Sequence, residues 1–134
     1  MSSTRKIINS PEAPQNPLPL SQAVQVDKTL YVSGQLGFTK NGELVEGLEA
    51  QTRQTLDNIG HILKAAGTDF LNVVKVTVLL QDISDFSEMN KIYGEYFKER
   101  FPARVAYQVG QLPKAGALVE IDAIAIVGDL KEED

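Results

Sequence analysis

The sequence predicts an α/β chain of the α+β kind, a two-layer sandwich of about six strands with two helices on one face of the sheet. Two segments with apolar residues at helical spacing, several short β-rich runs bounded by turn residues, and the chain order β-β-(β)-α-β-α-β-β together predict it. At 134 residues the chain fits one domain, 1–134, long enough to bury a core without disulfides or structural metals.

Pro11, Pro14, Pro17 and Pro19 predict an extended, turn-rich stretch after Ile7-Ile8, because proline fixes φ and removes a backbone donor. Residues 23–26 and 29–34 flank the turn-like Asp27-Lys28 and read as a tight β-hairpin. Asn41-Gly42 marks a second turn after 36–40, the bracketed strand of the predicted order. The best helix is 49–66, where Leu48, Thr52, Leu56, Ile59, Leu63 and Ala66 recur at helical spacing and Gly67 stands at the expected stop. Residues 73–80 form a β-rich run, with Val74, Val76, Val78 and Leu80 expected on one face and Lys75, Thr77 and Leu79 on the other. Asp85-Phe86-Ser87-Glu88 has the form of a helix N-cap with a capping-box glutamate. Met89, Ile92, Tyr93, Tyr96 and Phe97 then supply the apolar side of a second helix. Residues 103–109 and 118–127 complete the strands. Two helices cover only one sheet face, so the other predicts oligomerisation through the sheet.

Composition narrows the function classes. The net charge is −5, with no block of Lys or Arg, which argues against nucleic acid or an anionic membrane as partner. The absence of cysteine excludes disulfides, thiolate metal sites and cysteine nucleophiles. No apolar run approaches the roughly 18–20 residues of a membrane span. Met1 to Pro19 lacks the hydrophobic core of a signal peptide, so the cytoplasm is the expected compartment. The tail Lys131-Glu132-Glu133-Asp134 is expected to fray.

Two strands carry candidate chemistry. Arg104 enters the run Phe101-Pro102-Ala103-Arg104-Val105-Ala106-Tyr107-Gln108-Val109 and shares a face with Ala106 and Gln108. A guanidinium there needs an anion, either a carboxylate of its own chain or that of a substrate; composition alone favours the former. On the last strand Glu120 and Asp122 share a face, as a proton-transfer pair or simply as a solvated side. Leu118, Ile124 and Ile126 on that face suggest partial burial, which raises a glutamate pKa, whereas a nearby arginine lowers it. The remaining features read as structural. His61 is the only histidine, so a His-rich metal site is excluded; Gly34 and Gly37 form no phosphate loop; Ser33 lies in no nucleophile elbow. The tyrosines read as core or interface residues.

Ser21-Gln22-Ala23, Tyr31-Val32-Ser33-Gly34-Gln35, Asp85-Phe86 with Asn90 and Tyr93, Phe101-Pro102-Ala103-Arg104 and Glu120-Ile121-Asp122-Ala123-Ile124-Ala125 resemble, in order and spacing, the RidA (YjgF) family of reactive-intermediate imine deaminases. The resemblance runs from about Ile7 to Gly128 and is nearest to the eukaryotic UK114-like branch. It implies a chorismate-mutase-like fold with a mixed sheet, a homotrimer around a central barrel, and active sites in clefts between subunits. It also implies hydrolysis of 2-imino and 2-enamino acids, such as 2-aminoacrylate and 2-iminobutanoate, with no metal or organic cofactor. By position, Arg104 holds the substrate carboxylate, and main-chain groups around Ser33 and Gly34 orient the substrate. Glu120 activates water and moves protons, and Asn90 borders the cleft. One departure stands out: Leu20 occupies the place of a family tyrosine that lines the site, making the cleft more apolar. That departure motivates the alternative of a non-catalytic, chaperone-like trimer that binds small carboxylates. Ribonuclease activity is a third reading, disfavoured by the acidic charge.

Overall fold

Alternation along the strands sets the architecture. The computed structural model describes residues 1–134. In chain order its elements are β1 (Arg5–Ile8), β2 (Ala23–Val26), β3 (Thr29–Gln35), α1 (Leu48–Ala65), β4 (Val73–Leu80), α2 (Phe86–Tyr96), β5 (Ala103–Gln108) and β6 (Val119–Ile126). The strands form one sheet in the order β1-β2-β3-β6-β4-β5. All neighbours run antiparallel except β4 and β5, whose parallel pairing uses α2 as its crossover. In β6 every second residue, Val119, Ile121, Ala123 and Ala125, is buried against the helices. Leu56, Ile59, Ile62 and Leu63 of α1 and Met89 and Tyr93 of α2 close that core. The predicted two-layer α+β sandwich with a mixed six-stranded sheet is the fold observed.

The predicted stop of α1 is realised. Gly67 has φ +81, its amide donates to Lys64 O, and the Thr68 amide reaches back to Leu63 O, which satisfies the last carbonyls of the helix.

Four local expectations are corrected. The extra strand is not 36–40, where only a Phe38–Leu44 bridge forms; it is β1, a short edge of mostly exposed residues in which Ile8 is buried. Its pairing is secured by Gln22, whose buried amide accepts from Ser10 N at 2.6 Å and donates to Ser10 O and Pro14 O at 3.1 Å. Asp85 is no N-cap, because its backbone is already helical. Asp82 instead caps a single 3-10 turn, Ile83–Asp85, accepting from Ser84 N at 2.9 Å and Ser84 Oγ at 2.7 Å, and these bonds hold its carboxyl below the usual range. In β4 a register shift between Val73 and Lys75 buries Val73 and turns Val74 outward, opposite to its predicted face, while Val76, Val78 and Leu80 are buried together as expected. The tail does not hang free either, since Arg100 pairs with Asp134 at 2.7 Å and Glu132 at 3.8 Å.

The face of the sheet away from the helices is bare. Tyr31, Val105 and Tyr107 are 50%, 42% and 48% exposed there, beside the half-covered Leu79 and Ile124.

Candidate active site

Arg104 lies on edge strand β5 in register with Val76, a fully buried core residue, so its side chain projects to the helix side of the sheet. There it meets α2. The guanidinium carbon stands 4.7 Å from the centre of the Tyr93 ring and 5.6 Å from that of Phe86. Such contacts stabilise a cation by about 0.5–2 kcal/mol and orient it without spending its N–H donors. None of the chain's ion pairs involves Arg104, and no carboxylate of the chain hydrogen-bonds to it. The structural salt bridge favoured by composition is therefore absent. Burial pushes the Tyr93 phenol up to about 12, with the Arg104 charge pulling the other way. Asn90 sits between Phe86 and Tyr93 on the same side of α2, and its Oδ1 is buried with no hydrogen-bond partner. This half of the site holds a fixed cation with no carboxylate partner of its own, a setting suited to a small carboxylate, while the unpaired Asn90 Oδ1 is suited to a donor such as an imine or amine N–H.

Glu120 lies on β6 in register with Leu79, which is itself paired with Tyr107, a row on the bare face. Burial raises its pKa above the ordinary carboxylate value, and Asp122 adds to the rise. No arginine or lysine pairs with it. Beside it β3 bulges: Val32 opposes Ala123 and Gln35 opposes Ile121, leaving Ser33 and Gly34 opposite the single Asp122. Gly34 faces the Glu120 side chain directly. The Ser33 amide donates to Gln22 O at 2.9 Å and its hydroxyl to Ser21 O at 2.6 Å, so both of its donors are engaged within the chain. Leu20, half exposed, lines a cavity of about 390 Å³ together with Gln22, Gly34, Leu36 and Phe38.

The structure thus brings Arg104 to Asn90, and Glu120 to Gly34, with Ser33 and Leu20 beside Gly34. It does not bring Arg104 to Glu120, for the two occupy opposite faces of the sheet in one chain. Sequence reasoning missed Phe86 and Tyr93 as the seat of the guanidinium; their spacing with Asn90, i, i+4 and i+7, was the available signal. No three carboxylate or histidine side chains converge in metal-binding geometry.

Comparison with known proteins places the chain in a family. The family model described as Endoribonuclease L-PSP, that of the RidA (YjgF) proteins, matches residues 10–127. A bovine protein named 2-iminobutanoate/2-iminopropanoate deaminase is 58% identical over 128 residues, covering 94% of this chain and 93% of its own. The crystal structure of RidA from the Antarctic bacterium Psychrobacter superposes with a TM-score of 0.87 at 43% identity, over 91% of this chain and 99% of its own. That of Escherichia coli TdcF with bound serine gives 0.87 at 32% identity, over 92% and 99%. Since the match spans both half-sites and every strand from β2 to β6, the chain belongs to the RidA family.

Proposed function

We propose that this chain hydrolyses 2-imino acids and their 2-enamino tautomers to 2-oxo acids and ammonia, at a site completed by Arg104 of one copy and Glu120 of another. The observation that carries the reading is a guanidinium fixed over two aromatic rings, with no carboxylate of its own chain to neutralise it. The name of the bovine relative and the serine bound to TdcF support the same substrate class, a small molecule bearing a carboxylate.

The chemistry needs little more. Arg104 takes the substrate carboxylate through two parallel hydrogen bonds, with Asn90 at the border of the cleft. An imine carbon is already electrophilic, so catalysis consists of placing water and moving protons. Glu120 takes a proton from that water as the C–O bond forms and returns it to nitrogen. The resulting carbinolamine collapses as the C–N bond breaks, releasing ammonia and leaving the 2-oxo acid; one water is consumed. An enamine first gains a proton at its β-carbon. A glutamate whose pKa lies above the ordinary value suits both directions of transfer. The bare face and the two separated half-sites support a homotrimer. The acidic charge supports a small molecule, not nucleic acid, as the other partner.

The test supplies a threonine dehydratase with its substrate and follows 2-oxobutanoate release. The protein should accelerate release, and Arg104→Ala should remove the acceleration. No acceleration, or full acceleration by Arg104→Ala, overturns the proposal.

A further inference from the structure

Gly34 stands in β3 without needing to be glycine for its own backbone, since its φ lies outside the left-handed region that Gly42, Gly47, Gly67, Gly116 and Gly128 occupy. What excludes a side chain is Glu120. A Cβ built on Gly34 would overlap Glu120 Oε2 and stand 3.0 Å from its Cδ and 3.2 Å from its Cγ. Those are the three nearest atoms, and all belong to one flexible side chain. The crowding at Gly37 is different in kind, because there the nearest atom is Gln51 Cα of α1.

We propose that Gly34 is a positioning residue for the reaction: its missing side chain is the seat that holds the Glu120 carboxylate against the β3 bulge. The inference rests on the assignment of Glu120 as the proton carrier. The bulge supplies the reason for the place. Two residues of β3 oppose one of β6, so the strand steps Gly34 toward Glu120, and the ladder is back in register at Gln35 and Ile121. A glutamate with three side-chain torsions is thereby confined on one side by backbone and on its own strand by Asp122. The other titratable groups on that face are Lys75 on β4, Tyr107 on β5, Tyr31 on β3 and, at the far edge, Arg5 on β1. A methyl at position 34 displaces the carboxylate toward water, whereas the Arg104 of that site belongs to the neighbouring copy in the proposed assembly and keeps its seat on Tyr93 and Phe86. Binding and turnover therefore separate.

The experiment compares Gly34→Ala, Glu120→Ala and the double variant in melting temperature, kcat, KM and the pH profile of kcat. Gly34→Ala should lower kcat by about a hundredfold, as for a catalytic group moved by about 1 Å, with KM nearly unchanged. The acid limb of its kcat profile should move to lower pH, because a hydrated carboxylate loses its proton more readily. Its melting temperature at neutral pH should also change, whereas adding Gly34→Ala to Glu120→Ala should leave it unchanged, since the shorter side chain leaves room. If Gly34→Ala does not fold, the double variant should. Wild-type kcat and pH profile in Gly34→Ala overturn the proposal, as does an equal thermal change, or equal failure to fold, on the Glu120→Ala background. Full activity of Glu120→Ala instead overturns the assignment of Glu120, and the thermal cycle still reports on the contact by itself.

Discussion

Arg104 keeps its charge half-buried without an ionic partner because the faces of Tyr93 and Phe86 stand in for one. That arrangement separates Arg from Lys. Arg104→Lys retains the charge but loses the planar fork, so kcat/KM for 2-iminobutanoate should fall about tenfold or more, and Arg104→Ala should fall further. Equal activity of the lysine variant would contradict bidentate binding. Glu120 shows the opposite strain. Its folded pKa is raised, so below the ordinary carboxylate value the group is protonated in both states and stability is unaffected. As pH rises through the ordinary value toward the folded one, the folded chain retains a proton that the unfolded chain gives up, and stability falls. Glu120→Gln should therefore melt at a higher temperature than the native chain at neutral pH, with the gap closing in acid, while turnover is lost. A calorimetric pH series decides it. The sequence offered both side chains as candidates but left their ionisation open. The outcome depends on which sheet face each occupies, and that is fixed by a register no local pattern encodes.

The elements that shape the site are the ones least visible in the sequence. β1 has only four residues, two of them charged, and its pairing depends on a side-chain clamp twelve residues away. Gln22→Ala leaves Ser10 N and Pro14 O without their partner, while Ser10 O keeps Gln15 Nε2, so it should cost about 1–3 kcal/mol in urea unfolding, and a null result would remove Gln22 as the clamp. The segment between β1 and β2 carries Leu20 into the wall of the 390 Å³ cavity. Leu20→Tyr narrows that cavity and adds a hydroxyl. It should shift relative kcat/KM toward 2-aminoacrylate and away from imino acids with bulky apolar side chains, by about tenfold. An unchanged ratio would place the substrate side chain elsewhere. α1 was legible to its last turn, because helical spacing and Gly67 both act locally. α2 was legible in type but not in its start: Asp85 and Asp82 are equally good capping residues by type, and only the 3-10 turn selects Asp82. In β4 the strand was plain and its faces were not, since one register shift exchanges the sides of Val73 and Val74.

At the scale of the molecule, Arg104 and Glu120 of one chain cannot act on one substrate, because the sheet lies between them, so the proposed reaction needs both a first and a second copy. The outer sheet face of each chain also exposes Tyr31, Val105 and Tyr107, which a partner surface would cover. A head-to-tail arrangement answers both, with the Arg104 edge of each copy meeting the Glu120 face of the next and the ring closing. Sedimentation should give three times the chain mass of 14.7 kDa. The sharing of the site has a separate consequence. Arg104→Ala and Glu120→Gln are each expected to be inactive alone, since every site then lacks one half. In a mixed assembly formed by co-expression, some sites combine the intact Arg104 of one variant with the intact Glu120 of the other. Random mixing in equal amounts makes such sites about a quarter of the total, so activity should return to about a quarter of the native value from two inactive chains. If both half-sites acted within one chain, no mixture would recover anything.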